Sequence, residues 1–455
     1  MKQVRLKVLF FLMCLMCSVV YGGTNPLYSK DWQVSNVADP VFGSKLHIVE
    51  AGQHHEQTVI LVHGLGQNGV KDWLNTIPLL EKSFHVIGFD LPGFGQSPVA
   101  QGLFSPSNYS RLIHWITKNY AKGKVIVIGH SLGGAISLRY THDYEDEVKQ
   151  LVLVDAAGIL HRTVFTKHLA RFSNTVPSQS IVYGWLSNIT RRVDSISEDL
   201  LSMADAIPDV SRYILHNKSA REYLFQDRQT ANAALALISE DFSRAIAEVA
   251  VPTFIIWGDK DKVAPLRTGK LLAGRMRNAS LAVLHRVGHV PMNETPALFN
   301  DVLKGYLLAG ELGQQIKLPA EEKALSDYKC NGSQNDVIQG AYQHINITNC
   351  QYVKLQNVFA QSISIKSSRV ELENVNVVAK QTALSVSDSN LEGTLIRLEG
   401  EVPLNAEESR IDLAGVSLVT ESIRDFNIAA SKVYFSVSDI TSAGKKRIVH
   451  ELVEN

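Results

Sequence analysis

The chain has 455 residues, with 45 Lys and Arg against 45 Asp and Glu, so its formal net charge is zero. The length exceeds that of an ordinary single domain and predicts two or three. Hydrophobic residues make up 45% and charged residues 20%, as in soluble globular proteins. Without an excess of basic residues, nothing indicates a polyanionic partner, and we predict no nucleic-acid binding.

Residues 1–22 have the pattern of a signal peptide. A basic start, made by Lys2, Arg5 and Lys7, precedes the apolar run Val8–Val20 and a cleavage position after Gly22. The run is shorter than the about 20 residues that a membrane-spanning helix needs, although an uncleaved anchor is the alternative. We therefore expect export, to the periplasm, the cell surface or the medium.

Between about Gly43 and about Gly310, short apolar runs alternate with helical segments such as Tyr109–Tyr120 and Pro296–Leu308. The runs are apolar on both faces, as in the strands of a buried parallel sheet, so an α/β sheet covered by helices on both sides is predicted. The six runs are Thr58–Val62, His85–Phe89, Lys124–Ile128, Leu151–Val154, Thr253–Trp257 and Leu281–Leu284.

About 90 residues, Ile159–Val249, separate two of these strands. They contain helical patterns at Asp199–Ala206 and Thr230–Val249 and few strand signals. We predict a helical cap over residues 159–249 that covers the site. The alternative is a long crossover without a role in binding.

The pattern changes after residue 310. Residues 311–328 are polar and predict a linker, and short β-like runs follow over residues 329–455. Ser368–Val378 matches Ser409–Val419, and the repeat extends to a column of apolar positions. Its spacing of about 20 residues predicts the coils of a parallel β-solenoid, with an irregular β-sandwich as the alternative. The column is Cys330, Cys350, Val370, Leu391, Ile411 and Val433.

Two of the four cysteines, Cys14 and Cys17, lie in the predicted signal peptide, which leaves Cys330 and Cys350. Stacked coils would place these two thiols on neighbouring strands about 4.8 Å apart. Bridged Cα atoms are usually about 4.4–6.8 Å apart. We therefore predict a disulfide, or at least a contact, between them, as an oxidising compartment would allow.

Gly129-His-Ser-Leu-Gly133 is a G-x-S-x-G run between the predicted strand Lys124–Ile128 and the helical stretch Leu132–His142. This is the strand–turn–helix setting of a nucleophile elbow, in which small residues let the strand and the helix approach. It predicts Ser131 as a nucleophile. An ordinary glycine-rich turn is the alternative.

A serine hydroxyl needs a base, and a base needs an acid to orient it. His289 follows a glycine in the loop after the last predicted strand and is the predicted base. Asp261, in the loop after Thr253–Trp257, is the predicted acid. Asp259 and Asp155, each after a strand, are the other candidates for that role.

Acyl transfer also needs donors for the oxyanion. The amide of Leu132, at the start of the helix, is one predicted donor. The second is the amide of Leu65, in the glycine-containing loop His63–Gly66 after the first predicted strand. A simple strand-end turn is the alternative for this loop.

Five segments resemble the signature segments of the α/β-hydrolase superfamily, most closely its esterase, carbon–carbon hydrolase and haloperoxidase-like branch. They are Leu61–Gly66, Phe89–Ser97, Gly129–Gly134, Trp257–Asp261 and Gly288–Pro291. The resemblance covers about residues 40 to 310 and implies a mostly parallel eight-stranded sheet, a helical cap, no cofactor and a purely structural turn at Asp90–Ser97. Serine at position 131, rather than aspartate, separates the chain from the haloalkane dehalogenases and epoxide hydrolases.

The predicted architecture is therefore an α/β-hydrolase fold over residues 23–310, followed by a right-handed parallel β-helix-like domain. The predicted activity is that of a serine hydrolase of the carboxylesterase or lipase kind, acting on a small-molecule ester without a metal. Two alternatives stay open: hydrolysis of a carbon–carbon bond, and a catalytically silent protein that binds a surface. For the C-terminal domain, a glycan or cell-envelope partner is predicted.

Overall fold

The computed structural model describes residues 28–98, 102–161, 164, 229–322, 326–422 and 426–454. The predicted signal peptide and most of the predicted cap lie outside these residues. Within the described part of the chain, no helix is both long enough and apolar enough to cross a membrane.

The first sheet has eight strands in the order β1-β2-β4-β3-β5-β6-β7-β8. The five pairings from β4 to β8 are parallel, and the two that join β1 and β2 to the sheet are antiparallel. The predicted mostly parallel eight-stranded sheet is thus confirmed, although its first two strands, β1 and β2, were not among the predicted runs. The strands are β1 Gln33–Ala38, β2 Lys45–Ala51, β3 Thr58–Val62, β4 His85–Phe89, β5 Val125–His130, β6 Val148–Val154, β7 Thr253–Gly258 and β8 Ala279–Leu284.

Helices cover both faces of this sheet. The central strands β3, β4, β5 and β7 are buried along their whole length, and separate apolar clusters lie on the two faces. The helices of the described residues are α1 Ile77–Leu80, α2 Pro106–Tyr120, α3 Leu132–Asp143, α4 Gln229–Ile238, α5 Ser243–Glu248, α6 Leu266–Arg275, α7 Pro291–Glu294 and α8 Pro296–Lys304. Short 3-10 turns at Gly69–Trp73 and Glu145–Glu147 and a π turn at Gly305–Ala309 complete them.

The described end of the predicted cap, residues 229–249, is mostly helical. The pattern at Thr230–Val249 corresponds to two helices, α4 and α5, that are separated by residues 239–242. Asn232 of α4 accepts a hydrogen bond from the Phe104 amide and donates one to the Gly102 carbonyl, so this end of the segment is attached to the loop before α2. The other predicted cap helix, Asp199–Ala206, lies outside the described residues.

Residues 328–454 form a second sheet of 14 strands in which most pairings are parallel, an arrangement compatible with the predicted β-helix-like domain. The strands are β9 Tyr328–Asn331, β10 Val337–Thr348, β11 Gln351–Lys366, β12 Arg369–Val378, β13 Thr382–Ser387, β14 Asn390–Glu399, β15 Val402–Glu407, β16 Arg410–Ala414, β17 Ser417–Thr420, β18 Asn427–Ala429, β19 Lys432–Ser436, β20 Ser438–Ser442, β21 Lys445–Val449 and β22 Leu452–Glu454. The last two strands end the stack: β21 pairs antiparallel with β20, and β22 pairs antiparallel with β19.

The predicted apolar column is right in its second half and wrong in its first half. Val370, Leu391, Ile411 and Val433 are consecutive Cα partners. However, the partner of Val370 on β11 is Val353, not Cys350. Two features of β11 explain the three-residue error. Its Gln351 pairs with Arg369, which is 18 residues on rather than 20, and a register shift between Gln351 and Val353 adds one extra residue, a β-bulge.

A ladder of serine side chains marks one corner of the stack. The Oγ atoms of Ser389, Ser409 and Ser431 each accept a hydrogen bond from the amide of the equivalent serine one coil earlier, at 2.9–3.1 Å. Ser368 does the same for the amide of Cys350, at 3.0 Å. The residue before each serine has positive φ, which turns the chain so that the next coil begins. The ladder supplies acceptors to amides that the corner would otherwise leave buried without a partner.

A disulfide joins Cys330 to Cys350, whose Cα atoms are 6.5 Å apart. The two cysteines do not occupy the same strand register, because Cys330 is the Cα partner of Ile347. They meet because Cys350 lies at the corner just after β10, next to the end of β9.

Ion pairs join the two sheets through helix α6. Arg267 contacts Asp412 and Glu392, Lys270 contacts Glu373, and Arg275 contacts Asp439, so each basic side chain of this face meets an acid from the second sheet. The predicted linker 311–328 also contacts both sheets. Its Gln314 exchanges two backbone hydrogen bonds with Leu281 of β8, and its Lys317 and Pro319 carbonyls accept hydrogen bonds from Asn374 and Asn376.

Candidate active site

Ser131 lies on the sharp turn between the end of β5 and the start of α3. Its backbone has φ 53° and ψ −118°, a strained conformation for a residue with a side chain. The glycines on either side allow the turn: a Cβ on Gly129 would lie 2.2 Å from the Gly133 carbonyl oxygen, and a Cβ on Gly133 would lie 2.3 Å from that of Val62. The local sequence thus forces Ser131 to project at the carboxyl edge of the sheet.

A continuous chain of hydrogen bonds joins Ser131, His289 and Asp261. The Ser131 Oγ lies 2.9 Å from His289 Nε2, and His289 Nδ1 lies 2.7 Å from Asp261 Oδ2. Because the carboxylate can only accept, the imidazole is protonated at Nδ1 and its Nε2 is free to accept the Ser131 hydroxyl proton. The Asp261 carboxyl group is 0% exposed and the His289 ring 10% exposed, so water competes little for these contacts.

The orientation of the Asp261 carboxyl group is fixed by its own loop. Its Oδ1 accepts hydrogen bonds from the amides of Val263 and Ala264, at 2.7 and 3.0 Å, which directs Oδ2 to His289. Of the three predicted candidates for the acid, Asp261 is the one in contact with His289. Asp259 instead binds the His285 ring and the Arg286 amide, both at 2.7 Å, and Asp155 accepts the Gly258 amide at 2.9 Å.

The loop that carries His289 is held by two side chains, Glu294 and His130, whose roles were not predicted from the sequence. Glu294 accepts hydrogen bonds from the amides of Gly288 and Val290, on either side of His289, at 2.7 and 3.0 Å. The His130 ring lies 2.7 Å from the His289 carbonyl oxygen and donates to it from Nε2. Burial holds the pKa of His130 well below its usual value, and His289 acts in the same direction, so the ring is neutral. Their only sequence signal was proximity to the predicted nucleophile and base.

The loop His63–Gly66 lies directly against the nucleophile. A Cβ on Gly64 would be 3.1 Å from the Ser131 Cβ. His63 fastens the loop: its Nδ1 donates to the Gly64 carbonyl at 2.7 Å, and its Nε2 accepts the Leu91 amide at 2.8 Å. Among the described residues, no acceptor is bonded to the amides of Leu65 and Leu132, the two predicted oxyanion donors.

The turn at Asp90–Ser97 has a structural role. The Asp90 carboxylate accepts the amides of Val70 and Gln96, each at 2.6 Å, and the Ser97 hydroxyl donates to the Asp90 carbonyl at 2.7 Å. These bonds connect the loops after β3 and β4 next to the site. Within the described ranges, no three His, Cys, Asp or Glu side chains are grouped so that they could hold a metal ion.

Comparisons with known proteins identify relatives over the first part of the chain. Residues 57–181 match the family model for the alpha/beta hydrolase fold. Lipase 1 of Psychrobacter immobilis is 30% identical over 262 residues, 55% of this chain and 77% of that protein. A 2-hydroxy-6-oxononadienedioate/2-hydroxy-6-oxononatrienedioate hydrolase of Escherichia coli O139:H28 is 26% identical over 273 residues, 58% of this chain and 91% of that protein.

Solved structures are similar over the same share of the chain. The esterase of Exiguobacterium antarcticum is 20% identical, with a TM-score of 0.45, over 60% of this chain and 99% of that one. The family model, the lipase relative and the eight-stranded sheet with its strand order agree. The chain belongs to the α/β-hydrolase family.

Proposed function

We propose that the protein is a serine hydrolase that cleaves carboxylic esters through an acyl-enzyme. The observation that carries the proposal is the hydrogen-bonded chain from Ser131 through His289 to Asp261. Its order along the sequence, serine, then aspartate, then histidine, is that of α/β-hydrolases. The relative from Psychrobacter immobilis, named Lipase 1, supports an ester as the substrate.

In the first step the Ser131 Oγ attacks the ester carbonyl carbon while His289 Nε2 takes the hydroxyl proton. The imidazolium that forms is stabilised by the Asp261 carboxylate, 2.7 Å from Nδ1. The amides of Leu65 and Leu132 donate to the oxyanion. His289 then protonates the departing alcohol, and in the second step it activates a water molecule that releases the acid.

The decisive measurement is hydrolysis of p-nitrophenyl esters of increasing chain length by protein that begins at Gly23. Ser131→Ala should lower kcat/KM by at least roughly 10⁴-fold, since the nucleophile is lost. Asp261→Asn should cost roughly 10³- to 10⁴-fold, because the amide favours the wrong tautomer of His289. Asp259→Asn is the matched control and should keep the activity of the wild type, since Asp259 contacts His285 rather than His289.

If the wild type hydrolyses esters and Ser131→Ala does so at the same rate, the proposal is contradicted. In folded protein without ester hydrolysis, a fluorophosphonate label on Ser131 would show an activated serine. The absence of that label would leave the catalytically silent binding protein.

Hydrolysis of a carbon–carbon bond next to a carbonyl is the second candidate, and the relative from Escherichia coli favours it. It would use the same three side chains, so the site geometry does not discriminate between the two reactions. Assaying 2-hydroxy-6-oxononadienedioate beside the esters discriminates them. A kcat/KM that is higher for this compound than for every ester would make carbon–carbon hydrolysis the main activity.

We also propose that the protein acts after export. A disulfide between Cys330 and Cys350 fits an oxidising compartment, and the predicted signal peptide would direct the chain there. Cell fractionation of a bacterial host that expresses the full chain tests this, and recovery of uncleaved, reduced protein in the cytoplasm would contradict it. A glycan or cell-envelope partner for residues 329–455 stays a prediction.

A further inference from the structure

Asp155 is a buried acid, next to the site, for which the mechanism above has no use. It directly follows β6 with φ 43°, and the residue is 0% exposed. Its Oδ1 accepts the Gly258 amide at 2.9 Å. Its Oδ2 is fully buried and receives no hydrogen from any donor among the described residues. An ionised carboxylate would therefore have half of its charge without a partner.

The neighbour of Asp155 is the acid of the proposed triad. The two side chains, Asp155 and Asp261, lie close enough to share a hydrogen bond once one of them carries a proton. A third acid, Glu294, also acts on Asp155. Two carboxyl groups that share a buried site cannot both be ionised, so one of them must hold a proton.

The donors around each carboxyl group decide which one is protonated. Asp261 receives two amide hydrogens, from Val263 and Ala264, and faces the His289 ring, so its negative charge is well stabilised. Asp155 receives a single amide hydrogen. The charge therefore belongs on Asp261 and the proton on Asp155.

We propose that Asp155 is a neutral carboxylic acid that donates a hydrogen bond from Oδ2 to Asp261 and so positions the acid of the triad. The role assigned to Asp261 rests on the proposed function, whereas the protonation of Asp155 does not depend on it. Burial raises the pKa of Asp155 well above its usual value, and the charge of Asp261 acts in the same direction. As a neutral donor, Asp155 fixes Asp261 without adding a second negative charge near His289.

Kinetics of two substitutions test the positioning role. Asp155→Ala removes the donor and should lower kcat for the best p-nitrophenyl ester roughly tenfold, with little change in KM. Asp155→Asn keeps an acceptor for the Gly258 amide and a donor for Asp261, tolerates the positive φ, and should recover most of that loss. An alanine variant as fast as the wild type, or an asparagine variant as slow as alanine, would overturn the proposal.

The pH profile separates a neutral Asp155 from an ionised one. The acidic limb of kcat/KM reports the protonation of the free base, His289. If Asp155 is neutral, Asp155→Asn leaves the midpoint of this limb within about half a unit of the wild type. If Asp155 were ionised, its removal would lower the midpoint by about one unit or more, because a nearby negative charge favours the imidazolium. That shift would refute the proposal.

Stability measurements test the protonation without any enzyme activity. In the unfolded chain the Asp155 carboxyl group has its ordinary pKa, near 3.8, whereas burial in the folded chain raises this pKa so that the proton is kept to higher pH. The wild type therefore loses stability relative to Asp155→Asn as pH rises above 3.8, by up to about tenfold in the unfolding equilibrium constant per pH unit. Urea unfolding at pH 5, 6 and 7 should show this growing difference, and a difference independent of pH would overturn the inference.

A second variant covers the case in which Asp155→Asn does not fold. Asp155→Ser keeps a small hydroxyl donor and enters the same comparison of urea midpoints. If the wild type hydrolyses no ester, the proposed function fails while the stability comparison still tests Asp155. The two failures are therefore distinguishable.

Discussion

Arg267 should be the side chain on which the contact between the two sheets depends most. Its guanidinium Nη1 lies 2.7 Å from Asp412 Oδ2, and its Nη2 donates to the Gly393 carbonyl at 3.1 Å. The Arg267 side chain is 13% exposed and that of Asp412 20% exposed. Arg267→Met keeps the apolar stem and removes the charge, which leaves Asp412 in a mostly buried position without its partner.

Breaking a buried ion pair on one side costs about 3–5 kcal/mol of unfolding free energy. We expect about 3 kcal/mol for Arg267→Met, the low end, because a fifth of the Asp412 side chain is exposed to water. The double variant Arg267→Met, Asp412→Leu removes both charges and should be more stable than Arg267→Met alone. Lys432→Met is the control, since the pair Lys432–Glu454 is 41% and 55% exposed and should contribute about 0–1 kcal/mol.

The assay can follow the two sheets separately. All five tryptophans of the chain precede residue 310, so their fluorescence reports on the hydrolase part, while far-ultraviolet circular dichroism reports on both parts. Arg267→Met should lower the urea midpoint seen by both signals, if the two sheets unfold together. A loss below about 1 kcal/mol, or a double variant less stable than Arg267→Met, would mean that water screens the pair and would refute the reasoning.

Three further outcomes are expected. Glu294→Ala should lower kcat for ester hydrolysis roughly tenfold, because the amides beside His289 lose their acceptor. Glu294→Gln should lose less activity, and a Glu294→Ala variant with the kcat of the wild type would contradict this. Burial lowers the pKa of the His130 ring, so below about pH 6.5 the ring takes up a proton only when the chain unfolds, and the wild type loses stability on acidification. His130→Gln should lose less stability between about pH 7 and pH 5. Equal slopes of urea midpoint against pH for the two proteins would contradict this. The Cys330–Cys350 disulfide closes a loop of 20 residues, so its reduction should destabilise the first coil by about 3 kcal/mol. Hydrogen exchange should then become faster in residues 328–348 but not in the first sheet.

The core of the fold and the candidate site could be predicted because their signals are local. Strands such as Thr58–Val62 are buried on both faces, so each is a continuous apolar run. The Ser131 turn is specified by two glycines within five residues. Asp261 and His289 each follow a strand of a parallel sheet, so the carboxyl ends of those strands bring them to one edge.

The missed features depend on contacts between distant residues or on weak local signals. β1, Gln33–Ala38, is a partly exposed edge strand whose pattern lacks a continuous apolar run. Glu294 acts through backbone amides, which leave no mark on the sequence. The column through Cys350 failed because the coil between β11 and β12 is shorter than 20 residues and β11 carries one inserted residue, and the repeat length of the later coils reveals neither.

The C-terminal strands, which lie outside the resemblance on which the family was predicted, are attached close to the candidate site. Helix α6 begins at Leu266, five positions after Asp261, and its Arg267, Lys270 and Arg275 all contact acids of the second sheet. Truncation after residue 310 would leave these three cations without partners at the helix that follows the acid loop. Lost activity in such a fragment could therefore result from a destabilised helix α6 as well as from the loss of a binding function. Substitutions at residues of the second sheet that are exposed and remote from α6 are the variants that can separate a role in binding from a role in folding.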